Sequence, residues 1–204
     1  MLVLGGFHGD EPKGVFVARR LIDLLETDPT AGTRAATCGG KRRRESHPVR
    51  WVIVPTVNPD GYERRKRRNA NRVDINRNFP TKNWAPTSVR SRMFGGSEPG
   101  SEPETQAVIA VVRRYRPSQI VTIHSIDGHR ECNNYDGPGR AIAFRMKRYN
   151  GYPVTTSMGY STPGSFGTWA GVERNIPTIT LELPLHHSPK RCWEDNRRAL
   201  LCSP

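Results

Sequence analysis

The chain of 204 residues has no long apolar run. Its longest aliphatic stretch, Ala107 to Val112, falls far below the ~20 residues that a membrane-spanning helix needs, so no membrane partner is expected. Cysteine is sparse. Cys38, Cys132, Cys192 and Cys202 are scattered without a Cys-x-x-Cys pair, which argues against a zinc knuckle or a dense disulfide framework and makes reduced thiols the expectation. The opening Met-Leu-Val-Leu-Gly-Gly lacks the basic start, apolar middle and cleavage site of a secretory signal, so a cytoplasmic location is expected. Acidic residues are outnumbered, 19 Asp and Glu against 32 Lys and Arg, for a formal charge of +13. Much of that excess lies in two runs, Lys41 to Arg44 and Arg64 to Arg68. Neither run has interleaved aromatics, and no helix-turn-helix, RRM or zinc-finger pattern lies nearby, so nucleic acid is not the expected partner.

What is present reads as one domain, since single cores commonly occupy about 100 to 200 residues. Short β-branched runs alternate with helical patterns, which predicts an α/β fold: a single-domain mixed β-sheet covered by helices on both faces. The strands are expected at Leu2 to Leu4, Trp51 to Thr56, Gln119 to His124 and Ile176 to Leu183. A helix is expected from Pro12, with Val15, Ala18, Ile22 and Leu25 on one buried stripe, ending before Asp28-Pro29. Another starts at Ser101, where Ser-Glu-Pro-Glu reads as a capping box between Ser101 and Glu104. Further helices are expected over Ala141 to Arg148 and Pro189 to Leu201, with loops over 31–47 and 81–100. The first strand begins at the initiator Met yet feeds a Gly-Gly turn, and such strands want neighbours on both sides. The expectation is that N-terminal residues are missing or that the sheet is small.

Chemistry concentrates at strand ends. His8 and Glu11 flank the turn between the first strand and the first helix, where a His and a carboxylate three apart can converge on one metal. Alone, His-x-x-Glu is more often an ordinary turn pair, because catalytic zinc needs a third protein ligand and an open position. His124, at the C-terminal end of its strand, is the natural third ligand; the competing reading is a histidine at the core edge. Glu182 lies in Thr-Ile-Thr-Leu-Glu-Leu, where burying a carboxylate is costly unless it is paired, solvated or protonated. It is either a general base beside a metal or an edge-strand residue facing solvent. Asn58-Pro59-Asp60-Gly61 reads as a turn. Downstream, Asn76-Arg77 offers an amide and a fork of donors suited to a substrate carboxylate.

Taken together, His8-x-x-Glu11, Asn-Pro-Asp-Gly, Val-Asp-Ile-Asn-Arg-Asn-Phe-Pro, His124 and Thr-Leu-Glu182-Leu resemble the zinc metallocarboxypeptidases in order and spacing over nearly the whole chain. Arg-Asn-Ala-Asn-Arg-Val-Asp-Ile-Asn, Gly-Ser-Glu-Pro-Glu-Thr-Gln and Gly-Tyr-Ser-Thr-Pro-Gly-Ser-Phe-Gly-Thr-Trp are similar to the bacterial murein peptide amidase branch, which cleaves the γ-D-glutamyl–diaminopimelate amide of cell-wall peptides.

The resemblance implies a zinc-carboxypeptidase-like fold and one Zn2+ held by His8, Glu11 and His124. Glu182 matches the general base that activates water and later protonates the leaving amine. Arg67 matches the arginine that stabilises the oxyanion, and Asn76 and Arg77 match the pair that binds the substrate's terminal carboxylate. Tyr160 lies near the family's mobile tyrosine. Phe166 falls in the specificity-loop region, as pocket wall or packed aromatic. The family usually has Gly where this chain has Arg72, so a different local turn is expected. Residues 126–138 are expected to form a loop over the cleft. The implied activity is hydrolysis of an amide beside a C-terminal residue with a free carboxylate, on a small, murein-derived peptide. The competing readings are a carboxypeptidase of broader specificity and a basic, non-catalytic binding module.

Overall fold

The computed structural model describes residues 1–28, 30–31 and 49–204. Cys38, the run Lys41 to Arg44 and nearly all of the loop expected over 31–47 lie outside the described residues. Among the described residues six strands make one mixed sheet: β1 (Leu2–Gly5), β2 (Val52–Val54), β3 (Ile120–Ile126), β4 (Cys132–Asp136), β5 (Val154–Thr155) and β6 (Thr178–Pro184), in the order β2-β1-β3-β6-β4-β5. The first four in that order run parallel; β4 pairs antiparallel with β6 and parallel with β5. β1 does have a neighbour on each side.

The α-helices among the described residues are α1 (Pro12–Thr27), α2 (Pro59–Arg64), α3 (Pro103–Tyr115), α4 (Arg140–Asn150) and α5 (Pro189–Leu201). Strand alternation sorts the core into two layers. Val3, Val121, Ile123, Ile179, Leu181 and Leu183 point to one face, where α1, α4 and α5 cover them through Leu21, Met146 and Leu200. Leu2, Leu4 and Ile120 point to the other, under Val108, Ile109 and Val112 of α3 and an aromatic group of Phe7, Phe79, Phe166 and Trp169. The mixed sheet with helices on both faces is therefore as expected, and 81–100 is loop apart from turns.

Four local readings need correction. The segment 126–138 is not all loop, because β4 runs through it; its polar sequence hides the strand, since Asn134 and Asp136 face the cleft rather than a core. Asn58-Pro-Asp-Gly does more than turn, for it opens α2, with the Asn58 side chain accepting from the Gly61 N–H at 2.9 Å and Pro59 in the first turn. The Ser101–Glu104 capping box does not form. Glu102 is the N-cap of α3, and Ser101 Oγ donates to its carboxylate at 2.8 Å. Finally, Cys132 and Cys192 are free thiols, but Cys202 is disulfide-bonded, a pairing that spacing along the chain could not reveal.

Candidate active site

Parallel strands carry their loops at their C-terminal ends, and in open α/β sheets the ligand crevice lies there. β3 and β6 run in register with His124 opposite Glu182, which puts both side chains on the same face at the same end of the sheet. β1 ends beside them at Gly5, and the chain turns through Gly6, at φ 64°, into Phe7 and His8. The turn is braced from outside. Asn58 Nδ2 donates to the Phe7 and Arg67 carbonyls, each at 3.2 Å, and Gly9 packs so closely on Gly61 that a Cβ there would collide with its backbone. The Asn-Pro-Asp-Gly turn thus fixes the His8 turn and the approach of Arg67.

His8, Glu11 and His124 are buried and each offers a ligand atom within 4.8 Å of the others. His8 Nδ1 lies 2.7 Å from Glu11 Oε1, and His124 Nδ1 lies 3.1 Å from Glu11 Oε2 and 3.3 Å from His8 Nδ1. Two imidazole nitrogens and a carboxylate aimed at one point suit a zinc ion, with three protein ligands and a further position open toward the cavity. The outer sides are held as well. Asp74 Oδ1 sits 3.1 Å from His8 Nε2, so Nδ1 is the nitrogen presented inward, and the Ser125 N–H donates to Glu11 Oε2 at 3.1 Å. Asp74 is the functional residue that sequence reasoning missed. Its signal was its place in Val-Asp-Ile-Asn-Arg, but nothing in the chain order tied it to His8.

Arg67 reaches the same centre. Its Nε and Nη2 donate to Asp74 Oδ2 at 3.0 and 2.8 Å, which aims Nη1 at His8 Nδ1 and Glu11 Oε1, 3.3 and 3.5 Å away. Its neighbour Arg68 instead donates to the Val89 and Ser91 carbonyls, while Arg64, Arg65 and Lys66 are exposed. Of the basic run, Arg67 alone enters the cluster.

The electrostatics are those of a buried, closely coupled group. Burial by itself would lower the His8 pKa, but the Glu11 and Asp74 carboxylates outweigh it and hold the ring at about 9. Burial opposes ionisation of Asp74 and Glu11, yet His8 and its neighbours keep both below the usual carboxylate range. His124, where burial dominates, is lowered. Burial and the nearby Glu11 charge push Glu182 up to about 8. A carboxyl poised that close to neutrality can both take and return a proton.

A cavity of about 520 Å³ opens over this cluster and is lined by His8, Glu11, Arg67, His124 and Glu182 together with Asn76, Arg77 and Tyr160. Arg77 is 4% exposed; its Nη1 donates to the Asn76 carbonyl at 2.6 Å, and its buried Nε has no hydrogen-bond partner among the described residues. Asn76 is oriented by the Phe166 N–H, which donates to its Oδ1 at 2.9 Å and leaves the amide nitrogen to face the cavity. Phe166 itself is a packed aromatic, against Phe7, Phe79 and Trp169, and does not line the cavity. Tyr160 is 45% exposed at the rim. Arg72 takes a left-handed φ of 62°, so the turn is of the kind a glycine would make and the substitution strains it rather than reshaping it.

The arrangement has close counterparts. The zinc carboxypeptidase family model, Peptidase_M14, matches residues 1–136. Murein peptide amidase A of Escherichia coli strain K12 is 34% identical over 194 residues, 90% of this chain and 70% of that protein. The crystal structure of a murein-tripeptide amidase from Escherichia coli O157 superposes with a TM-score of 0.73 at 31% identity, over 98% of this chain and 80% of that one. Carboxypeptidase A from Helicoverpa armigera shares the fold, with a TM-score of 0.76 at 20% identity, over 99% of this chain and 59% of that one. On the matched family model and on relatives aligned along most of its length, the chain belongs to the zinc carboxypeptidases and is a zinc metallopeptidase.

Proposed function

We propose that this protein uses one zinc ion to hydrolyse the amide next to a C-terminal residue with a free carboxylate, and that its substrate is a murein-derived tripeptide containing the γ-D-glutamyl–diaminopimelate bond. The reading includes a cytoplasmic site of action. The observation that carries the hydrolase reading is the meeting, in one cavity, of the His8, Glu11 and His124 donors with Glu182 in register beside His124 and with Asn76 and Arg77. The murein substrate is suggested by the relatives whose names state it.

Zinc at His8, Glu11 and His124 would supply Lewis-acid polarisation of the scissile carbonyl and lower the pKa of water. The chain's own residues do the rest. Arg77 and Asn76 take the terminal carboxylate and so place the preceding amide over the centre. Glu182 removes a proton from the attacking water and passes it to the leaving amine. Arg67, anchored by Asp74, donates from Nη1 to the oxygen that gains charge. Tyr160 closes over the bound residue from the rim.

The test is turnover of L-Ala-γ-D-Glu-meso-diaminopimelate by the zinc-loaded protein. Glu182→Gln is expected to lower kcat by about 10²- to 10⁴-fold, the usual worth of a positioned acid-base group, while zinc content stays stoichiometric. Peptides ending in Lys, Arg or Phe serve as comparison, and equal or faster turnover of those would overturn the murein assignment while leaving the hydrolase reading in place.

A further inference from the structure

Ser101-Glu102-Pro103-Glu104 leads into α3 without forming the capping box its sequence suggests, and its carboxylates turn instead toward the segment 69–78. Glu102 is 4% exposed and forms no ion pair among the described residues. Its Oε2 accepts from Asn69 Nδ2 at 2.7 Å and from Asn71 Nδ2 at 2.9 Å, and its Oε1 accepts from Ser101 Oγ at 2.8 Å. Asn69 Nδ2 donates to Glu104 Oε2 as well, at 3.0 Å, so one amide serves two carboxylates. A buried carboxylate without a cation is costly unless hydrogen bonds compensate it. Here amides do so at a helix N-terminus, where the peptide dipoles favour negative charge.

The same residue fastens the far end of that segment. Its backbone N–H donates to Asn78 Oδ1 at 3.1 Å, and Asn78 Nδ2 donates to Ser101 Oγ and to the Gly95 and Glu98 carbonyls. Inside the segment, the Asn69 N–H donates to the Val73 carbonyl and the Val73 N–H to Asn69 Oδ1, which closes a turn that holds Arg72 at its left-handed φ of 62°. A strained turn of this kind persists only where its surroundings over-determine it, and the bonds from Asn69 and Asn71 to Glu102 do that. Between the two fastenings lie Asp74, Asn76 and Arg77, with Arg67 two residues before the first. The zinc donors stand on other elements, His8 in the turn after β1, Glu11 at the start of α1 and His124 on β3.

We propose that Glu102 is a positioning residue for the hydrolysis: its carboxylate holds 69–78 on α3 so that Asn76 and Arg77 meet the terminal carboxylate of the substrate and Arg67 meets the oxyanion. The role rests on the reading of the cluster as a hydrolase. Glu102 does not line the cavity and acts through Asn69, Asn71 and Asn78. Its effect therefore falls on the substrate side of the centre. Misplacing a reacting group by about 1 Å costs about 10²-fold in rate. Zinc, whose three donors lie outside the segment, remains bound, its affinity lowered only through the Asp74 contact with His8.

The experiment measures kcat, KM and zinc content of the zinc-loaded wild-type protein and its variants, at a temperature below every Tm, on whichever of the tripeptide and the peptides ending in Lys, Arg or Phe the wild type cleaves. Glu102→Ala is expected to raise KM and lower kcat, for a loss of about 10- to 100-fold in kcat/KM at stoichiometric zinc. Glu102→Gln keeps an acceptor for the asparagines and is expected to lose less. Asn71 is exposed, so Asn71→Asp tests the same contact should Glu102→Ala fold poorly. It sets carboxylate against carboxylate, with an expected loss of about 3- to 10-fold, and adding Glu102→Gln restores a pair of amide and carboxylate and is expected to recover that loss. A lowered Tm with kcat and KM unchanged, activity that tracks zinc content alone, or additive losses in the double variant would overturn the role. Unaffected variants beside an active wild type would overturn it and leave the hydrolase reading in place. A wild type that cleaves none of the peptides would overturn the hydrolase reading and the role with it.

Discussion

Asp74 joins three residues of the site with little signal in the sequence. Its Oδ1 meets the His8 ring and accepts from the Asn76 N–H at 3.0 Å, and its Oδ2 holds Arg67 by two hydrogen bonds, so one carboxylate aligns His8, Arg67 and Asn76, the residues proposed to bind zinc, the oxyanion and the terminal carboxylate. Asp74→Asn is expected to weaken zinc binding by about 10- to 100-fold, measured by competition with a chromophoric chelator, because the amide cannot keep the ring's basicity and orientation. The meeting of His8, Glu11, His124 and Glu182 was legible in the sequence because His124 and Glu182 lie near strand ends, and His8 and Glu11 in the short turn that follows another. Asp74 was not, since its partner lies 66 residues away in the chain and no periodicity connects them. Arg72 shows the opposite case, a departure visible in the sequence whose consequence needed the backbone. Held at positive φ and exposed, it is strained, and Arg72→Gly is expected to raise stability by up to about 1 kcal/mol in urea denaturation, with activity unchanged.

Among the elements, the long ones followed from pattern and the short ones did not. α1 and α5 have one apolar stripe each, and α5 spans Pro189–Leu201 as its periodicity predicts. α2 is six residues, too short for a stripe to register, and β4 alternates polar residues toward the cleft with Asn133 and Tyr135 on the other face, so it carries no apolar signature. Both nevertheless border the site that β1, β3 and β6 build. α2 begins at Asn58, whose amide oxygen caps the helix while its nitrogen ties the Phe7 and Arg67 carbonyls together. Asn58→Ala removes the cap and leaves the Phe7 carbonyl without that donor in a fully buried place, for an expected loss of about 2 to 3 kcal/mol in thermal or urea denaturation. Because the same residue braces the His8 turn, zinc affinity should fall in the variant even under conditions where it remains folded. Glu63→Ala, exposed on the same helix, is the control expected to change neither.

For the molecule as a whole, the buried charges make stability, metal binding and pH one problem. His8 in the metal-free protein is held at about 9, above its unfolded value near 6.5, so its contribution to stability is complete below pH 6.5 and is lost as pH rises through 9. Glu182, held at about 8 against an unfolded value near 4.3, runs the same way and loses its contribution as pH rises through 8. His124 is lowered and acts in the opposite sense, but only below pH 6.5, while Glu11 and Asp74 are lowered carboxyls whose contribution disappears only on acidification. Between pH 7 and 9 the metal-free protein should therefore become steadily less stable. Zinc needs the His8 nitrogen free of its proton, so binding competes with that proton and strengthens over the same interval. The gap in Tm between zinc-loaded and chelator-treated protein is thus expected to widen from pH 7 to pH 9, with proton release on zinc binding measurable by calorimetry in buffers of different ionisation enthalpy. Glu182→Gln should flatten part of the metal-free decline, and a Tm gap that is constant or narrows with pH would show that His8 does not carry the proton that zinc displaces.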